Sequence, residues 1–136
     1  MSQQNVEIVR RIYDAVAVRD AETPFAFYAE NIVWDLSNSR RAVLSSQPVY
    51  YGHEGVRRAW RDGLTAFGEI DYEVLQLTDS GDQVLATIRE HQVGRASGAP
   101  VEASHLALWT LAGGKVVRLQ VFDDRQDALE AVGLSE

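Results

Sequence analysis

The sequence predicts an α+β fold, a cone-shaped α+β barrel with three N-terminal helices packed on a curved, mainly antiparallel sheet and a short C-terminal helix. Three observations point there. Apolar residues recur at helical spacing early in the chain, at Val6, Val9, Tyr13, Val16 and Ala17. Two runs rich in β-branched and aromatic residues, 101–110 and 116–123, are joined by Leu111-Ala112-Gly113-Gly114-Lys115, the pattern of an antiparallel hairpin. The hairpin is followed by residues 124–133, which start acidic and stop at Gly133 like a short helix.

Each element follows in order. The first stripe, widened by Ile8 and Ile12, predicts a helix over about 3–18, with Ser2 or Asn5 as its cap. Thr23-Pro24 has the form of an N-cap followed by proline at the first helical position, opening a short helix that presents Phe25 and Tyr28 inward and ends near Glu30. Residues 31–36 form a short strand carrying Trp34 and Asp35. Residues 37–52 lack periodicity and predict a long loop, a length often associated with function. Val56, Ala59, Trp60, Gly63, Leu64 and Phe67 mark a third helix, with Glu54 in its favourable first turn. Residues 70–77 and 83–93 are strands around the turn Thr78-Asp79-Ser80-Gly81-Asp82, and the turn Gly94-Arg95-Ala96-Ser97-Gly98-Ala99-Pro100 leads into the hairpin. No repeat or interdomain linker interrupts the chain, so residues 1–136 are expected to form one domain.

Composition narrows the partners. With 46% hydrophobic and 24% charged residues, the chain is able to build a core. The net charge of −7, with no basic stretch to offset it, argues against nucleic acid and acidic membranes. The absence of cysteine excludes disulfides, thiolate zinc sites and cysteine nucleophiles. No signal peptide or apolar run of membrane-spanning length is seen, which leads us to expect a soluble, cytoplasmic protein.

Strand alternation sorts the side chains into faces. On the simplest register, Val117, Leu119, Val121 and Asp123 share the inner face with Val84, Ala86, Ile88 and Glu90, and with Glu102, Ser104, Leu106 and Leu108. Ala103, His105, Ala107 and Trp109 then join Arg118, Gln120 and Phe122 outside. An aliphatic inner face under the helices leaves a cavity at the open end of the cone, suited to a small ligand. Its pocket residues are expected to be Tyr13, Trp34, Ile88, Ser104, Leu106, Leu119 and Val121. A carboxylate in such a cavity is a candidate general acid or base. Asp123, Glu90 and Asp35 are the candidates, in that order. Asp123 leads because it shares its face with three aliphatic residues, provided Asp124 rather than Asp123 caps the last helix. Glu90 either projects into the cavity or marks a frayed strand end. Asp35 alternates with Trp34, so both reach one cavity only if the strand bends. Glu102 follows a turn and reads as solvated. His53 precedes a helix, while His91 and His105 fall on the outer face without a third ligand, so no metal site is expected.

The chain resembles the SnoaL-like branch of the nuclear transport factor 2 superfamily, which includes the ketosteroid isomerases. The marks are Val9-Arg10-Arg11-Ile12-Tyr13, Phe27-Tyr28-Ala29-Glu30-Asn31-Ile32-Val33-Trp34, Tyr51-Gly52-His53-Glu54-Gly55-Val56, Gly113-Gly114-Lys115-Val116-Val117, and 124–134 with Ala128-Leu129-Glu130-Ala131-Val132-Gly133-Leu134. The resemblance covers essentially the whole chain and implies the cone fold. It specifies chemistry weakly, because that fold hosts isomerases, polyketide cyclases, epoxide hydrolases, dehydratases and non-catalytic modules. Ketosteroid isomerase uses an aspartate base with a tyrosine and a protonated acid at the oxyanion. Aligned on Asp20 and the helix after it, those positions fall on Leu36, Ile12 and Ser104, with Tyr13 and Asp35 one residue away. The resemblance therefore argues against steroid isomerisation of that type. An arrangement like that of the epoxide hydrolases would have to be assembled from Arg89, Glu90 and Asp123.

The expected function is a pocket for a small apolar organic molecule, such as a polyketide or terpenoid. Its chemistry would be cofactor-free acid–base catalysis of the isomerase, cyclase, dehydratase or epoxide-hydrolase type. The alternative is a ligand-binding or protein-interaction domain without catalysis. By family habit a homodimer is expected through the outer sheet face, where Arg118, Gln120, Phe122, His105 and Trp109 would meet a second copy.

Overall fold

The computed structural model describes residues 2–40, 42, 47–93 and 100–133. The turn 94–99, part of the loop 37–52, and Leu134 lie outside the described residues. The elements run α1 (Ser2–Ala17), a 3-10 turn (Thr23–Phe27), β1 (Tyr28–Asp35), β2 (Val49–Tyr51), α2 (Gly52–Phe67), β3 (Asp71–Ser80), β4 (Gln83–Val93), β5 (Pro100–Ala112), β6 (Lys115–Phe122) and α3 (Arg125–Ala131). The architecture is α+β, with a six-stranded sheet in the order β2-β1-β6-β5-β4-β3. Strands β3 to β6 form the antiparallel meander, and β1 joins its β6 edge in parallel, making the sheet mixed.

The helix order differs from the expectation. The segment opened by Thr23-Pro24 makes only one short 3-10 turn, because Tyr28 turns to extended backbone and starts a strand. Tyr28, Ile32 and Trp34 share one face of β1 by alternation and are buried, while the pairing with β6 shifts register between Tyr28 and Val33. The next helix, α2, follows two strands rather than preceding the sheet. Its start is held by close backbone approach. A Cβ on Gly55 would lie 3.2 Å from the Tyr50 carbonyl carbon, and Gly52 carries a φ of 72° beside the Glu30 carbonyl.

Both sheet faces are covered. The main core joins Val9 and Ile12 of α1, Val56 of α2, Ile32 and Trp34 of β1, Val84, Ala86 and Ile88 of β4, Ala107, Trp109 and Leu111 of β5, and Val116, Leu119 and Val121 of β6. On the opposite face Leu85, Leu106, Leu108 and Phe122 pack with Ala128 and Leu129 of α3. Asp124 caps α3, accepting a 2.7 Å hydrogen bond from the Gln126 amide.

This arrangement overturns the predicted facing of β5. From the Gly113-Gly114 turn, Ala112 pairs with Lys115 and Leu111 with Val116, but Thr110 then pairs with Arg118. The extra residue, Val117, is a bulge that moves every later β5 side chain to the other face. Trp109 therefore opposes Leu119 and Ala107 opposes Val121. Ile88 faces His105 across β4. His105 and Trp109 point inward, Leu106 and Leu108 lie beneath α3, and Ser104 is exposed. The surface offered for self-association thus lacks His105 and Trp109, and its Phe122 is covered by α3.

Candidate active site

A cavity of about 560 Å³ opens between the inner sheet face and the helices, with α1, the 3-10 turn, β1, α2, β3, β5 and β6 all contributing. Its interior is aromatic. Tyr28 meets Trp34 at 5.6 Å between ring centroids, Trp34 meets Trp109 at 6.0 Å and Trp60 at 6.4 Å, and Trp60 meets Tyr72 at 6.5 Å. Apart from the tilted Trp34–Trp60 pair these contacts are edge-to-face, packing that fixes the ring positions. Tyr13 packs edge-on to Trp109 at 5.6 Å and accepts a 3.2 Å hydrogen bond from its Nε1.

At one wall of this cavity stands His105, its ring 6.0 Å from that of Tyr72 and nearly perpendicular to it. Behind it, Glu90 is buried, and the two are joined through His105 Nδ1 and Glu90 Oε2 at 2.5 Å. They lie on neighbouring strands, where Ile88 opposes His105 and Glu90 opposes Ala103, so the two side chains sit diagonally on one face. With the carboxylate ionised, Nδ1–H donates to Glu90 and the lone pair rests on Nε2. Burial raises the Tyr13 hydroxyl above its ordinary value, and the nearby Tyr72 and Glu90 reinforce that against the lowering effect of Trp109. The Tyr28 phenol is likewise raised, chiefly by burial, and its oxygen has no hydrogen-bond partner among the described residues. The cavity therefore gathers a carboxylate-held imidazole and neutral tyrosines within apolar walls.

The sequence-derived candidates divide. Tyr13, Trp34, Leu119 and Val121 line the cavity, and Ile88 is buried in the core beside it. Leu106 and Ser104 do not line it, for the register reason above. Of the carboxylates, Glu90 faces inward, behind His105. Asp123 accepts hydrogen bonds from Ser39 Oγ at 3.2 Å, the Arg40 amide at 2.7 Å and Arg40 Nε at 3.2 Å, which commits it to the loop. Asp35 points to the face opposite Trp34, accepting from the Ser37 amide at 2.9 Å, Ser37 Oγ at 2.5 Å and Arg118 at 3.0 Å. Burial acts to raise the Asp35 carboxyl, but the Ser37 hydroxyl and amide and Arg118 together hold it below its ordinary value. Arg89 pairs with Glu73 at 3.6 Å, so Arg89, Glu90 and Asp123 are not assembled into one site. His91 binds Glu73 and Glu102 at 3.1 and 3.0 Å, away from His105. Among the described residues no group of three or more metal-ligating side chains comes together. Alternation alone placed His105 on the wrong face, together with Ala107 and Trp109 of the same strand. The signal that locates it is the break in alternation at Val116-Val117-Arg118-Leu119, where two apolar neighbours are followed by a third at an odd spacing.

The SnoaL-like domain family matches residues 9–119. This chain belongs to that family. Solved structures of similar fold include a nuclear transport factor 2-like protein of unknown function from Burkholderia pseudomallei, 18% identical over 95% of this chain and 97% of its own, with a TM-score of 0.78. TerC, co-crystallised with polyporic acid, is 18% identical over 96% of this chain and 98% of its own, with a TM-score of 0.78. A putative SnoaL-like polyketide cyclase from Jannaschia sp. CCS1 is 20% identical over 99% and 95% of the two chains, with a TM-score of 0.69. No curated protein matches the sequence. Among the described residues of this SnoaL-like protein, no helix is long and apolar enough to cross a membrane.

Proposed function

We propose that this SnoaL-like protein is a cofactor-independent acid–base enzyme acting on a small, planar, largely aromatic organic molecule. His105 is the proton-transfer group and Glu90 the residue that positions it. The observation that carries this is the Glu90–His105 pair standing on the wall of an aromatic cavity. The carboxylate fixes one tautomer, leaving Nε2 to take a proton from a carbon or hydroxyl of the bound molecule, and stabilises the imidazolium that results. A proton removed beside a carbonyl leaves an enolate, and a neutral tyrosine is a suitable donor to its oxygen. The same imidazolium then returns the proton at another position, the common step of isomerisation, aldol-type cyclisation and dehydration. The similar fold co-crystallised with polyporic acid supports a flat, oxygenated aromatic ligand. Asp123 and Asp35 have no part in this chemistry, because their carboxylates are engaged by Ser39 and Arg40 and by Ser37 and Arg118, outside the cavity.

The test uses 2-tetralone, a flat bicyclic ketone with exchangeable α-protons. Proton–deuterium exchange in deuterated buffer, followed by NMR, should be faster with the wild-type protein than with buffer alone. His105→Gln should lose most of that acceleration, a factor on the order of 10²–10⁴ for a positioned acid–base group. Absence of acceleration by the wild-type protein, or its survival in His105→Gln, would refute the catalytic role. Tetralone-induced shifts without exchange would instead favour a non-catalytic binding domain.

A further inference from the structure

We propose that the ligand of this cavity carries a carboxylate, and that Arg61 at the cavity mouth binds it while the aromatic body lies inside; this rests on the reading of the cavity as an aromatic-ligand site. Three arginines line the opening: Arg19, Arg57 and Arg61. Two are neutralised by the protein itself. Arg19 donates to the Ile70 carbonyl at 3.2 Å and to Asp71 at 2.7 Å, tying the end of α1 to the start of β3. Arg57 binds Glu22 at 2.9 Å and covers the Phe25 ring at 4.1 Å. Arg61 makes no ion pair or hydrogen bond among the described residues. It lies four residues beyond Arg57 on the same stripe of α2, a spacing at which like charges repel. The acid next to it in sequence, Asp62, is engaged by the Tyr50 hydroxyl at 2.5 Å.

The result is a guanidinium without an ion-pair partner among the described residues, at the rim of a largely apolar cavity whose lining also carries two acids, Asp20, bonded to the Thr23 hydroxyl, and Glu69, 3.9 Å from Arg19. Guanidinium presents parallel donors that match a carboxylate, and field lines concentrate where a charge borders a low-dielectric wall. An aromatic acid satisfies both parts of the site at once. Its rings displace water from the tryptophan faces, and its carboxylate stays at the opening against Arg61. A neutral molecule of equal shape gains only the first contact.

The experiment compares 2-naphthoate with 2-naphthamide, alike in shape but different in charge. Binding is read by NMR from the indole N–H signals of Trp34, Trp60 and Trp109, all of which line the cavity. At low ionic strength naphthoate should bind the wild-type protein about threefold to tenfold more tightly than naphthamide, the gain expected for a charge-assisted contact at an exposed rim. Arg61→Gln should abolish the preference, leaving naphthamide affinity unchanged and thereby showing that the cavity is intact. Raising the salt concentration should shrink the preference in the wild-type protein. Equal affinities in the wild-type protein, a preference that survives Arg61→Gln, or no indole response to either probe would overturn the proposal. Tetralone exchange with no naphthoate preference sinks this inference alone. A naphthoate preference lost in Arg61→Gln, without tetralone exchange, sinks only the catalytic reading.

Discussion

Replacing Tyr28 by phenylalanine should stabilise the protein. Tyr28 is 3% exposed, and its hydroxyl finds no hydrogen-bond partner among the described residues. A buried hydroxyl without a partner costs about 1–3 kcal/mol, which is the loss of its bonds to water uncompensated by new ones. The ring itself is well placed, meeting Phe25 at 5.2 Å and Trp34 at 5.6 Å edge-on, and phenylalanine keeps those contacts. The substitution thus removes a penalty and leaves a void of about one oxygen atom. An unfolding entropy of about 2.1 cal/mol/K per residue translates each kcal/mol into a Tm change of about 3–4 °C for a chain of this length. The expected rise in Tm is therefore about 3–10 °C, read by calorimetry, with a matching increase in the urea midpoint at unchanged slope. A Tm equal to or below wild type would refute the reasoning, because it would mean that the hydroxyl makes a stabilising hydrogen bond in the folded protein. The same burial raises the phenol above its ordinary value, so Tyr28 should stay un-ionised as exposed tyrosines titrate, measured by ultraviolet difference spectra.

Two further substitutions separate the carboxylates by role. Asp124→Ala should cost about 0.5–2 kcal/mol in urea unfolding, the usual loss of a helix N-cap, because its carboxylate accepts from the Gln126 amide at the start of α3. Asp35 is held below its ordinary value in the folded state, so its stabilising effect is complete above the unfolded pKa of about 4 and is lost as pH falls through the lower folded value. Asp35→Asn should therefore lower stability at neutral pH and flatten the acid limb of the stability profile below about pH 4, followed by circular dichroism. An acid limb as steep as wild type would show that Asp35 is not a source of the pH dependence.

The elements of this fold were legible because local chemistry marks them. Periodicity placed α1 and α2, the Gly-Gly turn placed the hairpin, and Asp124 with Gly133 bounded the last helix. The 3-10 turn was harder to read: Thr23-Pro24 announces any helical start, and only the switch to extended backbone at Tyr28 shows that it ends after one turn. Strand β2 is three residues long, too short for alternation to stand out. Cap chemistry narrowed the start of the last helix to Asp123 or Asp124, and Asp124 is the cap; Thr23 lies inside the 3-10 turn, whose N-cap is Glu22 without a side-chain bond.

The site was concealed by the coverage of the sheet on both faces. Alternation reports orientation when one face is apolar and the other polar, and β5 offers no such contrast. One of its faces, with Ala107 and Trp109, belongs to the cavity, and the other, with Leu106 and Leu108, lies beneath α3. Orientation must then come from register, counted outward from the hairpin turn, and a single bulge residue at Val117 reverses the count. The same inversion brings His105 from an apparent outer surface to a position beside Glu90. Glu90 was visible from the start as a charged residue on an apolar strand face, a feature that calls for a partner. Its partner could be found only once β5 was turned over, because a buried carboxylate is retained where something on the same face bonds to it. The bulge is therefore the structural cause of the candidate active site. Without it, β5 would turn a serine and two leucines toward the cavity, and Glu90 would face them without the imidazole.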